Sequence, residues 1–175
     1  MIKKSCFIVL VLTLYCIVCH GIYEKSIKIT KKGNNPSITI KETQEKDQIG
    51  YLKIDKINLY EPLYEKNSSK NNIEEHVTIL KESKMPEEEN SIIFLAAHSG
   101  TGKIAYFENL DELTIGDKIE ISYHNTKYYY QISNIWEENK TGYIHVNQTN
   151  KKQLILTTCS PKKDDKQLVI SSNLI

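Results

Sequence analysis

The chain has 175 residues, 39% hydrophobic and 26% charged, which fits one ordinary globular domain with a short appendage. Its formal net charge of +1 supplies no global field to attract nucleic acid, so a nucleic-acid partner is not expected. All 23 basic residues are lysine, which removes the side chain that usually makes bidentate contacts to carboxylates and phosphates.

In chain order, residues 1–4 form a short tail and residues 5–23 read SCFIVLVLTLYCIVCHGIY, with no lysine or carboxylate. A helix of that length spans about 27 Å, close to the hydrocarbon thickness of a bilayer. The rival reading, a cleaved signal peptide, wants a small-x-small exit, and Cys-His-Gly-Ile-Tyr is a poor one. The expectation is an uncleaved, single-pass transmembrane helix. Lysines flank it on both sides, so charge counting does not orient it.

Residues 24–47 are polar, lysine-rich and broken by Gly33, Asn34, Asn35 and Pro36, as a membrane-proximal linker would be, with a short strand possible at SITI. The folded domain is expected over 48–175. IGYLKIDKINLYEPLY alternates apolar and polar residues as half-buried strands do. SIIFLAAH is a continuous apolar run suited to a strand buried on both faces. YFENLDEL places Phe107, Leu110 and Leu113 at helical spacing and predicts one short helix. KIEISYH and TKYYYQISNIW flank His124-Asn125 as a hairpin, and KQLILTTC and KQLVISSNLI are two further strands. Short strands without a βαβ rhythm predict a mostly β, mainly antiparallel domain, closed or nearly closed into a barrel with one or two short helices.

Two chemistries compete in FLAAHSGTGK, residues 94–103. A phosphate-binding loop requires G-x-x-x-x-G-K-[ST], yet Ala97 stands where the first glycine belongs and Ile104 where the hydroxyl belongs. Ser-Gly-Thr-Gly therefore reads as a turn, which leaves His98 at the end of a strand. Of the four cysteines, Cys6, Cys16 and Cys19 lie in the apolar run, and only Cys159 belongs to the folded part. A disulfide scaffold is thereby ruled out, and one cysteine with scattered histidines gives no metal-ligand spacing, so neither metal nor cofactor is expected. Cys159 also ends an apolar strand, LILTTC. Two strands ending at one rim would bring imidazole and thiol together. A Cys–His pair is an acyl-transfer nucleophile with its proton shuttle.

On these residues the chain resembles the sortases, the membrane-anchored cysteine transpeptidases of Gram-positive bacteria. The family's T-L-x-T-C motif appears as Ile155-Leu156-Thr157-Thr158-Cys159, with isoleucine replacing the leading threonine. FLAAHSGTGKIAYFENLDEL resembles the histidine motif, and GYLKIDKINLYEPLY resembles the first two strands, with Asp55 where that pattern has proline. Histidine precedes cysteine by about sixty positions, the reverse of the papain-like order. The resemblance implies a sortase-like β-barrel over 48–175 behind a membrane anchor, with His98 and Cys159 catalytic and Thr158 in the substrate groove.

The family's arginine after the cysteine is missing. Gln167 fills the position before the apolar run Leu168-Val169-Ile170, and its amide can donate to an oxyanion, with Lys166 as the alternative. The resemblance further implies cleavage of an LPxTG-like C-terminal sorting signal on surface proteins through a thioacyl intermediate. An amine of a cell-wall precursor or a pilin lysine would resolve that intermediate, outside a cell membrane crossed once. A hydrolase using the same pair, or a catalytically weak membrane-anchored peptide-binding barrel, are the alternatives. The short chain argues against longer, lidded pilin-polymerising members.

Overall fold

In the computed structural model, residues 46–147 and 150–175 are described. The expected anchor (5–23) and the SITI strand lie outside the described residues, among which no helix is long and apolar enough to cross a membrane. β1 (Gln48–Ile54) and β2 (Leu59–Tyr64) are the two strands expected from the alternation after Ile49. A single 3-10 turn, Asp55–Ile57, joins them, and Asn58 closes it in the left-handed region at φ 53°. β3 (Thr78–Ile79) is a two-residue strand with no counterpart in the sequence reading, and β4 (Ile92–Ala96) follows it. β5 (Lys118–Tyr123) and β6 (Thr126–Asn139) form the expected hairpin. Its turn residues His124 and Asn125 have φ of 44° and 65°, the left-handed pair that matches strand twist. β7 (Gln153–Cys159) and β8 (Lys166–Leu174) complete the set.

The eight strands make one sheet in the order β2-β1-β5-β6-β8-β7-β4-β3, and its end strands β2 and β3 approach each other, so the sheet is a nearly closed barrel. Every pairing is antiparallel except β4 with β7. Leu52, Ile54, Leu95, Ile119, Ile121, Leu154, Leu156 and Ile170 fill the interior, each at 0% exposure.

The expected helix at YFENLDEL is a correction. The segment forms turns and one 3-10 turn at Leu110–Glu112. Phe107 and Leu110 are buried at 1% and 0%, so the three-residue spacing that suggests a helix is met equally by a tight turn pressed on the core. The β4 reading also needs adjustment. Ile93 and Leu95 are fully buried, whereas Ile92 and Phe94 are only half-buried, so one face of the strand is partly open.

Gly50 permits a close approach of β1 to β5 in the barrel wall. A Cβ built there would lie 1.8 Å from the Ser122 carbonyl oxygen across the β1–β5 ladder, and that atom is backbone that cannot swing aside. Gly50→Ala is expected to lower unfolding free energy by at least about 3 kcal/mol, read by chemical denaturation.

Candidate active site

β7 is buried at every position from Gln153 to Thr158 and becomes exposed only at Cys159. That cysteine is a free thiol. β4 is buried on one face only, at Ile93 and Leu95, and also ends in a buried residue. Ala97, just past its end, is 3% exposed, and the His98 side chain then emerges at 37%. The parallel register ends at the pair Ala96 and Thr157, so His98 and Cys159 each lie two residues beyond it, at the same end of two adjacent strands.

Side chains carry the alignment past the last ladder pair. Thr158 Oγ1 donates to the Ala97 carbonyl at 2.8 Å, and Ser99 Oγ donates to the Cys159 carbonyl at 3.0 Å. His98 thus sits between two points of chain stapled to β7. A third hold comes from Phe107, whose N–H donates to the His98 carbonyl at 3.0 Å. The imidazole Nε2 lies 3.2 Å from Oε1 of Glu74, on the segment between β2 and β3. Thr158 itself is only 6% exposed, with its hydroxyl committed to Ala97.

On the other side, antiparallel pairing places Gln167 directly opposite Cys159. Residues opposite each other in a ladder share a face, so Lys166, one position away, points to the other face, where its Nζ donates to Asn139 Oδ1 at 2.9 Å. Gln167 in turn pairs with Glu138 on β6. Its Nε2 donates to Glu138 Oε1 at 3.0 Å and to the Tyr143 carbonyl at 2.9 Å. Both partners only accept, which fixes the orientation of the amide and engages both of its hydrogens. Glu138 Oε2 also accepts from His145 Nδ1 at 2.9 Å. A polar row therefore crosses four strands in the order His98, Cys159, Gln167, Glu138, with a further partner at each end.

Burial acts to raise the Glu138 carboxyl pKa, but hydrogen bonds from His145 and Gln167 outweigh it and hold the group below its ordinary value. Glu74, Glu138, His145, Tyr143 and Ser99 had no sequence signal of their own, since each reaches the row through a fold contact. Among the described residues, no group of three His, Cys, Asp or Glu side chains is placed to hold a metal ion.

The family model for the sortase domain matches residues 52–175. The chain belongs to the sortase family. Sortase A of Bacillus anthracis is 26% identical over 132 residues, covering 75% of this chain and 61% of that protein, so the chain spans less than two thirds of that curated relative. The crystal structure of Streptococcus agalactiae sortase C1 is similar at a TM-score of 0.65 and 28% identity, covering 75% of this chain and 69% of that one. The Clostridium perfringens sortase D5 transpeptidase is similar at 0.62 and 25%, covering 74% and 79%. These relatives, labelled A, C1 and D5, select no subclass.

Two measurements check the site's construction. Thr158→Val keeps the shape of this sortase's β7 but strands the buried Ala97 carbonyl, and should cost about 1–3 kcal/mol in chemical denaturation. Because Glu138 sits lower in the folded chain, its contribution is complete above the ordinary carboxyl value of 4.5 and is lost as pH falls through the depressed folded value. Wild type should therefore lose stability relative to Glu138→Gln as pH falls from 4.5 to the depressed folded value, compared by denaturation at stepped pH.

Proposed function

We propose that this sortase is a cysteine transpeptidase that cleaves an LPxTG-like sorting signal and passes the carboxyl fragment's upstream protein to an amine. The parallel register of β4 on β7, which delivers His98 and Cys159 to one open rim, carries the reading. The Cys159 sulfur, as thiolate, attacks the carbonyl carbon of the signal's Thr–Gly bond. A C–S bond forms and the carbonyl π pair moves to oxygen. The oxyanion then re-forms the carbonyl, the C–N bond breaks, and the leaving amine takes a proton from the His98 imidazolium. An incoming amine attacks the thioester, gives its proton to His98, and releases Cys159. The products are a new amide and the regenerated pair.

Gln167 is the proposed oxyanion donor, with a backbone N–H beside it. Its amide hydrogens rest on Glu138 and Tyr143, so donation requires exchanging one of them. Glu138 belongs to the β6 ladder opposite Gln167, whereas Tyr143 lies past the strand's end and is 75% exposed as a residue, so the bond to its carbonyl is the one exchanged. Thr158 serves the groove by holding its floor, the β4–β7 seam, beneath the reacting groups. Ser-Gly-Thr-Gly forms the rim beside His98.

In the cell, residues 5–23 would anchor the chain once in the membrane with the catalytic domain outside. Its substrates would be surface proteins bearing a C-terminal sorting signal, and its acceptor a cell-wall precursor amine or a pilin lysine.

The test is a gel assay with a peptide carrying an LPxTG-type signal and an added primary amine. Wild type should yield the ligated product, and Cys159→Ala and His98→Ala should yield none. Gln167→Ala should lower kcat on the order of 100-fold, the scale of losing one oxyanion donor. Cleavage without ligation would make the protein a hydrolase. No reaction, with peptide binding retained, would make it a binding module.

A further inference from the structure

The segment between β2 and β3 reaches across the rim to the catalytic histidine, and its geometry is built. Asn72 folds it into a turn, with its carbonyl accepting from the N–H groups of Glu75 and His76 at 2.9 and 2.8 Å. The Asn72 side-chain oxygen accepts from the Glu74 N–H at 3.1 Å. Asn71 clamps the turn to β3, accepting from the Ile79 N–H at 2.7 Å and donating to the Ile79 carbonyl at 3.0 Å. From the opposite side, Tyr106 Oη donates to the Glu75 carbonyl at 2.8 Å, joining the turn to the segment that follows His98. That same segment holds the His98 carbonyl through Phe107. Backbone on both sides of the Glu74–His98 contact is therefore tied, although the two side chains are partly open to solvent, at 66% and 37%.

We propose that Glu74 is a positioning residue that accepts the Nε2 hydrogen of His98 and so leaves Nδ1 as the nitrogen that exchanges protons with thiol, leaving amine and incoming amine. The reason is the chemistry of the pair. An ionised carboxylate only accepts, so the imidazole nitrogen 3.2 Å from it must carry hydrogen. In the neutral ring the other nitrogen is then the bare one, ready to take a proton. As the ring gains its second proton during amine attack, the adjacent carboxylate steadies the positive charge and holds the ring plane. The contact needs Asn72 and Tyr106 to aim it, since a free glutamate on a loop would spread over many rotamers.

This inference rests on the acyl-transfer reading, and the experiment separates the two. Full-length chain in detergent micelles, labelled with nitrogen-15 histidine, is observed by long-range proton–nitrogen correlation, with His98→Gln assigning the ring. Wild type should show the Nε2–H tautomer, and Glu74→Ala should lose that bias, while Glu74→Gln, whose carbonyl still accepts, should keep it. In the ligation assay Glu74→Ala should lower kcat by about 5-fold with KM unchanged, the scale of one exposed charged contact. Glu74→Asp should recover part of the loss. A tautomer signature that is the same in wild type and Glu74→Ala overturns the inference. So does an equal kcat in an active wild type and the variant. An inert wild type overturns the acyl-transfer reading itself, and with it the catalytic use of the contact.

Discussion

The one parallel pairing among the described strands, β4 on β7 in an otherwise antiparallel barrel, is the constraint on which the site depends. Antiparallel neighbours end at opposite rims, so residues at the C-terminal ends of two adjacent strands meet only if those strands run the same way. β4 and β7 do; β7 is sealed in the barrel wall until Cys159, and β4 keeps Ile93 and Leu95 sealed while its other face is partly open. The β5–β6 hairpin between them in sequence supplies the crossover that parallel strands require. Thr158 and Ser99 then extend the alignment past the ladder, one bond buried and one at the surface. The backbone that carries the thiol and the imidazole is thus held by register and two hydroxyls.

Much of this was legible in the chain. The alternation after Ile49, the His124-Asn125 turn and the apolar runs ending in His98 and Cys159 each reported a local rule that the fold obeys. The two-residue β3 was not, because Thr78–Ile79 is too short to show a period of two. YFENLDEL misled because periodicity of three does not separate a helix from a turn whose two aromatic and aliphatic residues are pulled into a core. The partners of the row were hidden for a different reason. Glu74 is 24 positions from His98, and Gln167 is 29 from Glu138, distances at which only tertiary pairing decides who meets whom. His145 carried no motif, and its place emerges only from the bond to Glu138.

The lysine-only composition bears on how the row handles charge. A cation at position 167 would meet Glu138 directly across the β6–β8 ladder and form an ion pair there. With glutamine present, the half-sheltered carboxylate is satisfied by a neutral amide on one oxygen and by His145 on the other. Leaving such a carboxylate without donors would cost more than the single bonds gain, so the glutamine and the histidine belong to one arrangement.

The same logic explains why the two ends of the row differ. At the Glu138 end the carboxylate's side chain is only 14% exposed, and it is held low by donors, a structural use of charge. At the Glu74 end the carboxylate is mostly exposed, and its contact with His98 is worth little because water screens it. A peptide lying across His98 and Cys159 would displace that water and lower the local dielectric, which strengthens every charge contact inside. Under the proposed acyl transfer, the contact at His98 would therefore gain strength as substrate arrives and the ring takes a second proton, whereas the Gln167 amide would give up an acceptor to donate to the oxyanion. One end of the row would then tighten on binding and the other yield, with the thiol between them.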